Sequence, residues 1–122
     1  MQTTSTLATK TVTLTCPDGR VVVEHCLVAA RPLRRMRGLL GRRELPEGEG
    51  ILLRPAASIH TAFMRFPIDV VFLDRERVVL GIARELRPWR ATARSGAHAA
   101  LELASGECAR RGIRVGDRLL AL

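Results

Sequence analysis

The chain has 122 residues, 47% of them apolar, and a formal charge of +8. That length sets a single domain and that composition supports a packed core, while no run approaches the roughly 20 apolar residues of a membrane span. All of the 20 basic residues except Lys10 are arginine, so the charge reads as coding bias as much as selection for a polyanion, although a field of this sign attracts nucleic acid without sequence preference.

Residues 1–10 form a flexible polar lead-in with no apolar stretch of the kind a secretory signal needs. The expectation is a cytoplasmic, monomeric chain with one β-domain over 11–122. TVTLT (11–15) and RVVVEHCLVA (20–29) are β-branched runs joined by Pro17-Asp18-Gly19, which is hairpin chemistry. Pairing across that turn leaves Cys16 and Cys26 roughly 15–20 Å apart along the strand, too far for a disulfide. With Cys108 they read as three reduced, mostly buried thiols. In RPLRRMRGLLGRR, Pro32 suits a first helical turn. Leu33, Met36, Leu39 and Leu40 recur at steps of three and four, predicting a helix near 32–40 with one apolar face. Arg31, Arg34, Arg35 and Arg37 occupy much of the rest.

ELPEGEG (44–50) reads as a loop and ILLR as a short strand. SIHTAFM is expected to be extended. IDVVFLD and RVVLGIAREL are the clearest strands, joined as a hairpin at DRER. RPWRATARSGA (87–97) reads as a polar connection and HAALELA as a strand. SGECARRG predicts a helical turn near 106–111, capped by Ser105 and stopped by Gly112. IRVGDRLLAL turns at Val115-Gly116-Asp117 before a closing strand, with Asp117 bonding nearby backbone. The sum is seven or eight short strands, one α-helix and one helical turn, without βαβ alternation or repeats. This is a mainly β, compact sandwich- or barrel-like fold, in which strands 11–15 and 118–122 are candidate neighbours.

The segments RRMRGLLGR, GILL, IHTAFMRFPIDVVFLD, ALELASG and GIRVGDRL, in that order over residues 22–121, resemble the family called domain of unknown function 192. The resemblance implies a small β-sandwich-like domain with one helix. It also implies structural roles for Gly38, Leu39, Gly50, Gly106, Gly116 and Asp117, and supplies no activity. Many relatives carry leaders, and none is expected here. Met64 and Asp69 stand closer together than in many relatives, as in a shorter His-Thr subgroup. DRER lacks the glycine that relatives often place near Arg77, so a residue with a side chain is expected to take a positive φ there.

His60, Met64 and Asp69 are the candidate site. In a straight strand His60 and Met64 share a face. Asp69, set among Ile68, Val70 and Val71, is costly to bury unpaired, and Arg35 is the expected partner. Glu102 alternates with Leu101 and Leu103, so it faces outward or lines a cleft. The ligand count falls short of a zinc site, and no nucleophile stands in a recognisable motif; no metal or cofactor is expected. Catalysis is hard to build from these residues. The reading is a non-catalytic domain that binds a small ligand or protein partner in a cleft near His60, Met64, Asp69, Arg35 and Glu102. An alternative is electrostatic nucleic-acid binding by the arginine-rich helix, and another a hydrolase or metal activity of a His60–Asp69 pair. Aromatic poverty weighs against nucleic acid, because Phe63, Phe66 and Phe72 sit in apolar patterns that want burial and single-strand binders stack bases on exposed rings.

Overall fold

The computed structural model describes residues 10–29 and 44–121. The strands are β1 (Lys10–Thr15), β2 (Val21–Ala29), β3 (Glu49–Leu53), β4 (Ser58–His60), β5 (Ile68–Leu73), β6 (Val79–Leu86), β7 (Ala91–Ala93), β8 (Ala99–Ala104) and β9 (Leu120–Ala121), with a short helix α1 (Glu107–Arg111) between β8 and β9. Seven strands form one curled sheet, a half-barrel, in the order β6-β5-β8-β3-β2-β1-β9; β4 and β7 form a separate two-stranded ribbon. The mainly β reading holds. The expected helix near 32–40, and with it Arg35, Gly38 and Leu39, lies outside the described residues.

Both expected hairpins form. Thr15 faces Val21 across the first turn, where Gly19 takes φ 92°. In the second, Asp74 Oδ1 accepts the backbone amides of Glu76 and Val78 at 2.8 and 2.9 Å. Arg77 takes φ 69°, the positive value expected in the absence of glycine. The first and last strands are neighbours, with Leu14 opposite Ala121. The three cysteines are free and buried. Burial pushes the Cys26 thiol up to about 12.

The β2–β3 pair is parallel, His25 facing Glu49 and Ala29 facing Leu53. Two expectations need correction. The stretch 87–97 is not merely a connection, because it contains β7. Helix α1 is capped at its start by Gly106 (φ 89°) with no side-chain cap of its own, rather than by Ser105; Gly112 (φ 69°) does stop it.

The core has two parts, one on each face of the curled sheet. Along β5 the side chains of Val71 and Leu73 join Leu101, Leu103, Cys108 and Ile113. Those of Ile68, Val70 and Phe72 join Ile59, Met64 and Phe66. This alternation is the period of two that a strand imposes. All six residues of β5 are buried, as expected of a strand covered on both sides. Gly50 allows β3 to approach β8 closely: a Cβ there would come within 2.8 Å of Leu103.

Candidate functional site

Asp69 sits mid-sheet and is 0% exposed. One carboxylate oxygen accepts the amide of Glu85 at 2.8 Å. The other accepts the amides of Gly106 at 3.1 Å and Cys108 at 3.0 Å. Each is a point where regular pairing fails. Glu85 has φ 50° beside a register shift in the β5–β6 ladder, and Gly106 and Cys108 are amides at the start of α1 that no intrahelical carbonyl can satisfy. Asp69 thus supplies from another strand the cap that α1 lacks. Charge-assisted bonds of this kind are the strong ones. Burial, and then the neighbouring carboxylate, push the Cys108 thiol up to about 12. Among the described residues, Asp69 is satisfied by backbone amides and not by a guanidinium.

His60 and Met64 do not share a face. The chain leaves β4 after His60 and turns, with the Met64 amide bonded to the Thr61 carbonyl at 3.2 Å and Phe63 at φ 68°. His60 is exposed, whereas Met64 is buried among Ile59, Phe66 and Ile68. Asp69 belongs to the sheet interior, so His60 and Asp69 open onto no common surface. Glu102 neither faces outward nor lines a cleft. It is 1% exposed, flanked across the ladders by Ile51 and Val70, because β8 too is covered on both faces. Gly116 (φ 98°) makes the expected turn, and Asp117 accepts the Arg114 amide at 2.9 Å. Among the described residues, no three His, Cys, Asp or Glu side chains gather where they could hold a metal ion.

The turn after His60 is organised by Thr61, which is 0% exposed. Its hydroxyl donates to the Arg87 carbonyl at 2.6 Å and accepts the Arg90 amide at 2.9 Å. Its own carbonyl accepts the Trp89 amide at 3.0 Å. One buried side chain thereby ties the loop after β4 to the loop before β7. The result is an exposed aromatic pair. Phe63 is 63% and Trp89 60% exposed, with ring centroids 4.5 Å apart and planes at 60°. Both residues hold left-handed backbone, at φ 68° and 63°, a conformation that bulky side chains avoid. The two loops and strands of this ribbon, 58–67 and 87–97, carry Arg65, Arg87, Arg90 and Arg94 and no acidic residue. The expectation that the phenylalanines are buried therefore holds for Phe66 and Phe72 and fails for Phe63.

Opposite this ribbon, α1 is clamped by acids. Glu107, 3% exposed, pairs with Arg110 at 2.7 Å and Arg111 at 3.1 Å, and Arg111 reaches Glu24 on β2 at 2.9 Å. That hydrogen bond lowers the Glu24 carboxyl below its ordinary value. The cluster fastens the helix to the sheet.

No helix among the described residues is long and apolar enough to cross a membrane. No curated protein matches the chain. Two solved structures share its fold. A protein of unknown function from Novosphingobium aromaticivorans DSM 12444 superposes with a TM-score of 0.76 at 29% identity, over 90% of this chain and 83% of that one. A protein from Sinorhizobium meliloti 1021, provisionally described as a transcription regulator, gives 0.78 at 24% identity, over 91% and 92%. The pattern of the family DUF192, described as an uncharacterised ACR, matches residues 13–121, and with that span matched the chain belongs to the DUF192 family.

Proposed function

We propose that this chain is a non-catalytic binding domain whose contact surface is the β4–β7 ribbon beside His60, and that its partner is single-stranded nucleic acid. The observation that carries the reading is the Phe63–Trp89 pair. Two large rings are held in solvent by two strained backbones, and strain of that kind persists only where surrounding structure enforces it, often at sites of function. Aromatic faces next to arginines suit a partner that offers both π-faces and negative charge. Four arginines on segments that carry no acid add attraction for such a partner. The binding surface near His60 is kept from the sequence reading, while Met64 packs beneath it with Ile59 and Asp69 and Glu102 belong to the interior of the sheet. The nucleic-acid alternative moves from the helix near 32–40 to the ribbon.

Trp89 is the only tryptophan in the chain, so its fluorescence reports directly on the surface. Short oligothymidylate is expected to quench it, with an affinity that falls steeply as salt rises. Stacking is worth about 1–3 kcal/mol per base, so Phe63→Ala should weaken binding by about five- to a hundredfold. Heparin, which has charge but no bases, should not quench. The absence of quenching at low salt, or undiminished binding by Phe63→Ala, would refute the reading in favour of a protein partner.

A further inference from the structure

The geometry points to a second binding site, distant in character from the aromatic ribbon: a pocket for a small monocarboxylate with a short apolar body. One end of the half-barrel holds a cavity of about 130 Å³, where the ends of β3 and β5, the β5–β6 turn and the start of β8 meet. Its floor is apolar, supplied by Leu52, Leu73 and Leu119, each at most 4% exposed. Its rim carries Arg54, Arg75, Arg77 and His98, with Asp74 as the one acid. Asp74 is already engaged, since one of its oxygens accepts the amides of Glu76 and Val78. None of the three rim guanidiniums makes a hydrogen bond or ion pair with a described residue.

An apolar well bordered by positive residues is the ordinary make-up of a small-molecule site. The charge selects an anion, and a planar guanidinium favours a carboxylate or phosphate head. A carboxylate with a short aliphatic body engages the basic rim and occupies the rest of the volume, which a bare phosphate leaves empty. The volume equals about four waters at roughly 30 Å³ each, so the body is a short chain or a single small ring. Arg77 gives an independent sign of purpose. It occupies φ 69°, where glycine is free of strain, with its amide bonded to the Asp74 carbonyl and its carbonyl to the Leu119 amide, both at 3.0 Å. Arg77 therefore lines the cavity from a backbone that has no need of a side chain.

The same feature makes the test clean. Arg77→Gly removes the guanidinium and suits the backbone, so a loss of binding cannot be ascribed to unfolding. Calorimetric titration with straight-chain monocarboxylates from acetate upward should give saturable binding. Affinity should rise with chain length, reach a maximum and then fall once the well is full. The matching primary amides should bind at least tenfold more weakly, and Arg77→Gly and Arg54→Gln should each lose at least tenfold at an unchanged or higher melting temperature. The inference is overturned if no member of the series binds, if inorganic phosphate binds as tightly as the best carboxylate, or if Arg77→Gly binds like the parent. Oligothymidylate binding at the ribbon should be untouched in Arg77→Gly, so the two sites fail or stand separately.

Discussion

Asp69 and the Phe63–Trp89 pair lie within one short stretch and its facing loop, yet they obey opposite rules. Asp69 is a charge placed where charge is costly, and three backbone amides repay it. Phe63 and Trp89 are apolar groups placed where burial would be favourable, and they remain in solvent. The first arrangement lowers the free energy of the fold. The second gives up stability in two left-handed backbones and two exposed rings. A residue that stabilises the fold and a residue that meets a partner are thus separable by which way their local energetics point, and substitution can test the separation directly.

The largest effect should come from Asp69→Ala. It strands three amides at once, and at about 1–3 kcal/mol for each buried donor left unsatisfied, with partial relaxation, the expected loss is about 3–5 kcal/mol in urea unfolding. Oligothymidylate binding by the fraction still folded should be unchanged. Thr61→Val keeps the shape but removes the hydroxyl that ties the two loops. It should cost about 1–2 kcal/mol and also weaken binding, because Trp89 is no longer held; a loss of stability with full binding would show that the loops need no tether.

The buried thiols come next. Cys26 and Cys108 titrate near 12 in the folded chain, against an ordinary value of 9.0. Their contribution to stability is whole below pH 9 and lost as pH rises toward 12, because only the unfolded chain can ionise readily there. Near pH 10 this amounts to about 1 kcal/mol per thiol, and Cys26→Ala should flatten the alkaline limb of the stability profile. The smallest change in stability should come from Phe63→Gly. Relief of the left-handed backbone, about 1–2 kcal/mol, offsets the lost ring contact of about 0.5–1.5 kcal/mol, so the midpoint should move little while binding falls severalfold. A large drop in stability would place Phe63 with Asp69 on the structural side.

What could be read from the sequence was local. The hairpins at 17–19 and 74–77, the helix stop at Gly112 and the turn at Gly116 depend on neighbours along the chain, and they stand where their residues predict. The first and last strands were only candidate neighbours in the sequence, and the structure pairs them. What escaped depends on distance. Thr61 has partners 26 and 29 residues away, and a lone threonine carries no sign of that, so Phe63 was read as one more apolar position in a strand. Glu102 was misplaced because alternation with leucine implies one covered face, whereas β8 has two. Asp69 was singled out correctly as a buried carboxylate needing compensation, but its described partners are amides that no side-chain pattern reveals. His60 remains exposed at the edge of the ribbon, close in sequence to the residues that matter most there.

The start of β6 is bonded to the segment before β9, where Val78 bridges Arg118 and Val79 exchanges backbone hydrogen bonds with Gly116 and Asp117; among the described strands the rest of β6 and β9 remain the borders of the sheet. An open border is a template on which another chain can add a strand. Here β9 is only two residues long. The longer border, β6, breaks its register against β5, turns left-handed at Glu85 and exposes Arg84 and Glu85, while the Arg94 guanidinium lies across Gly81. Irregularity and charge at these places resist edge-to-edge growth into fibrils, so the bulge that Asp69 secures also helps keep each copy of the molecule separate from the next.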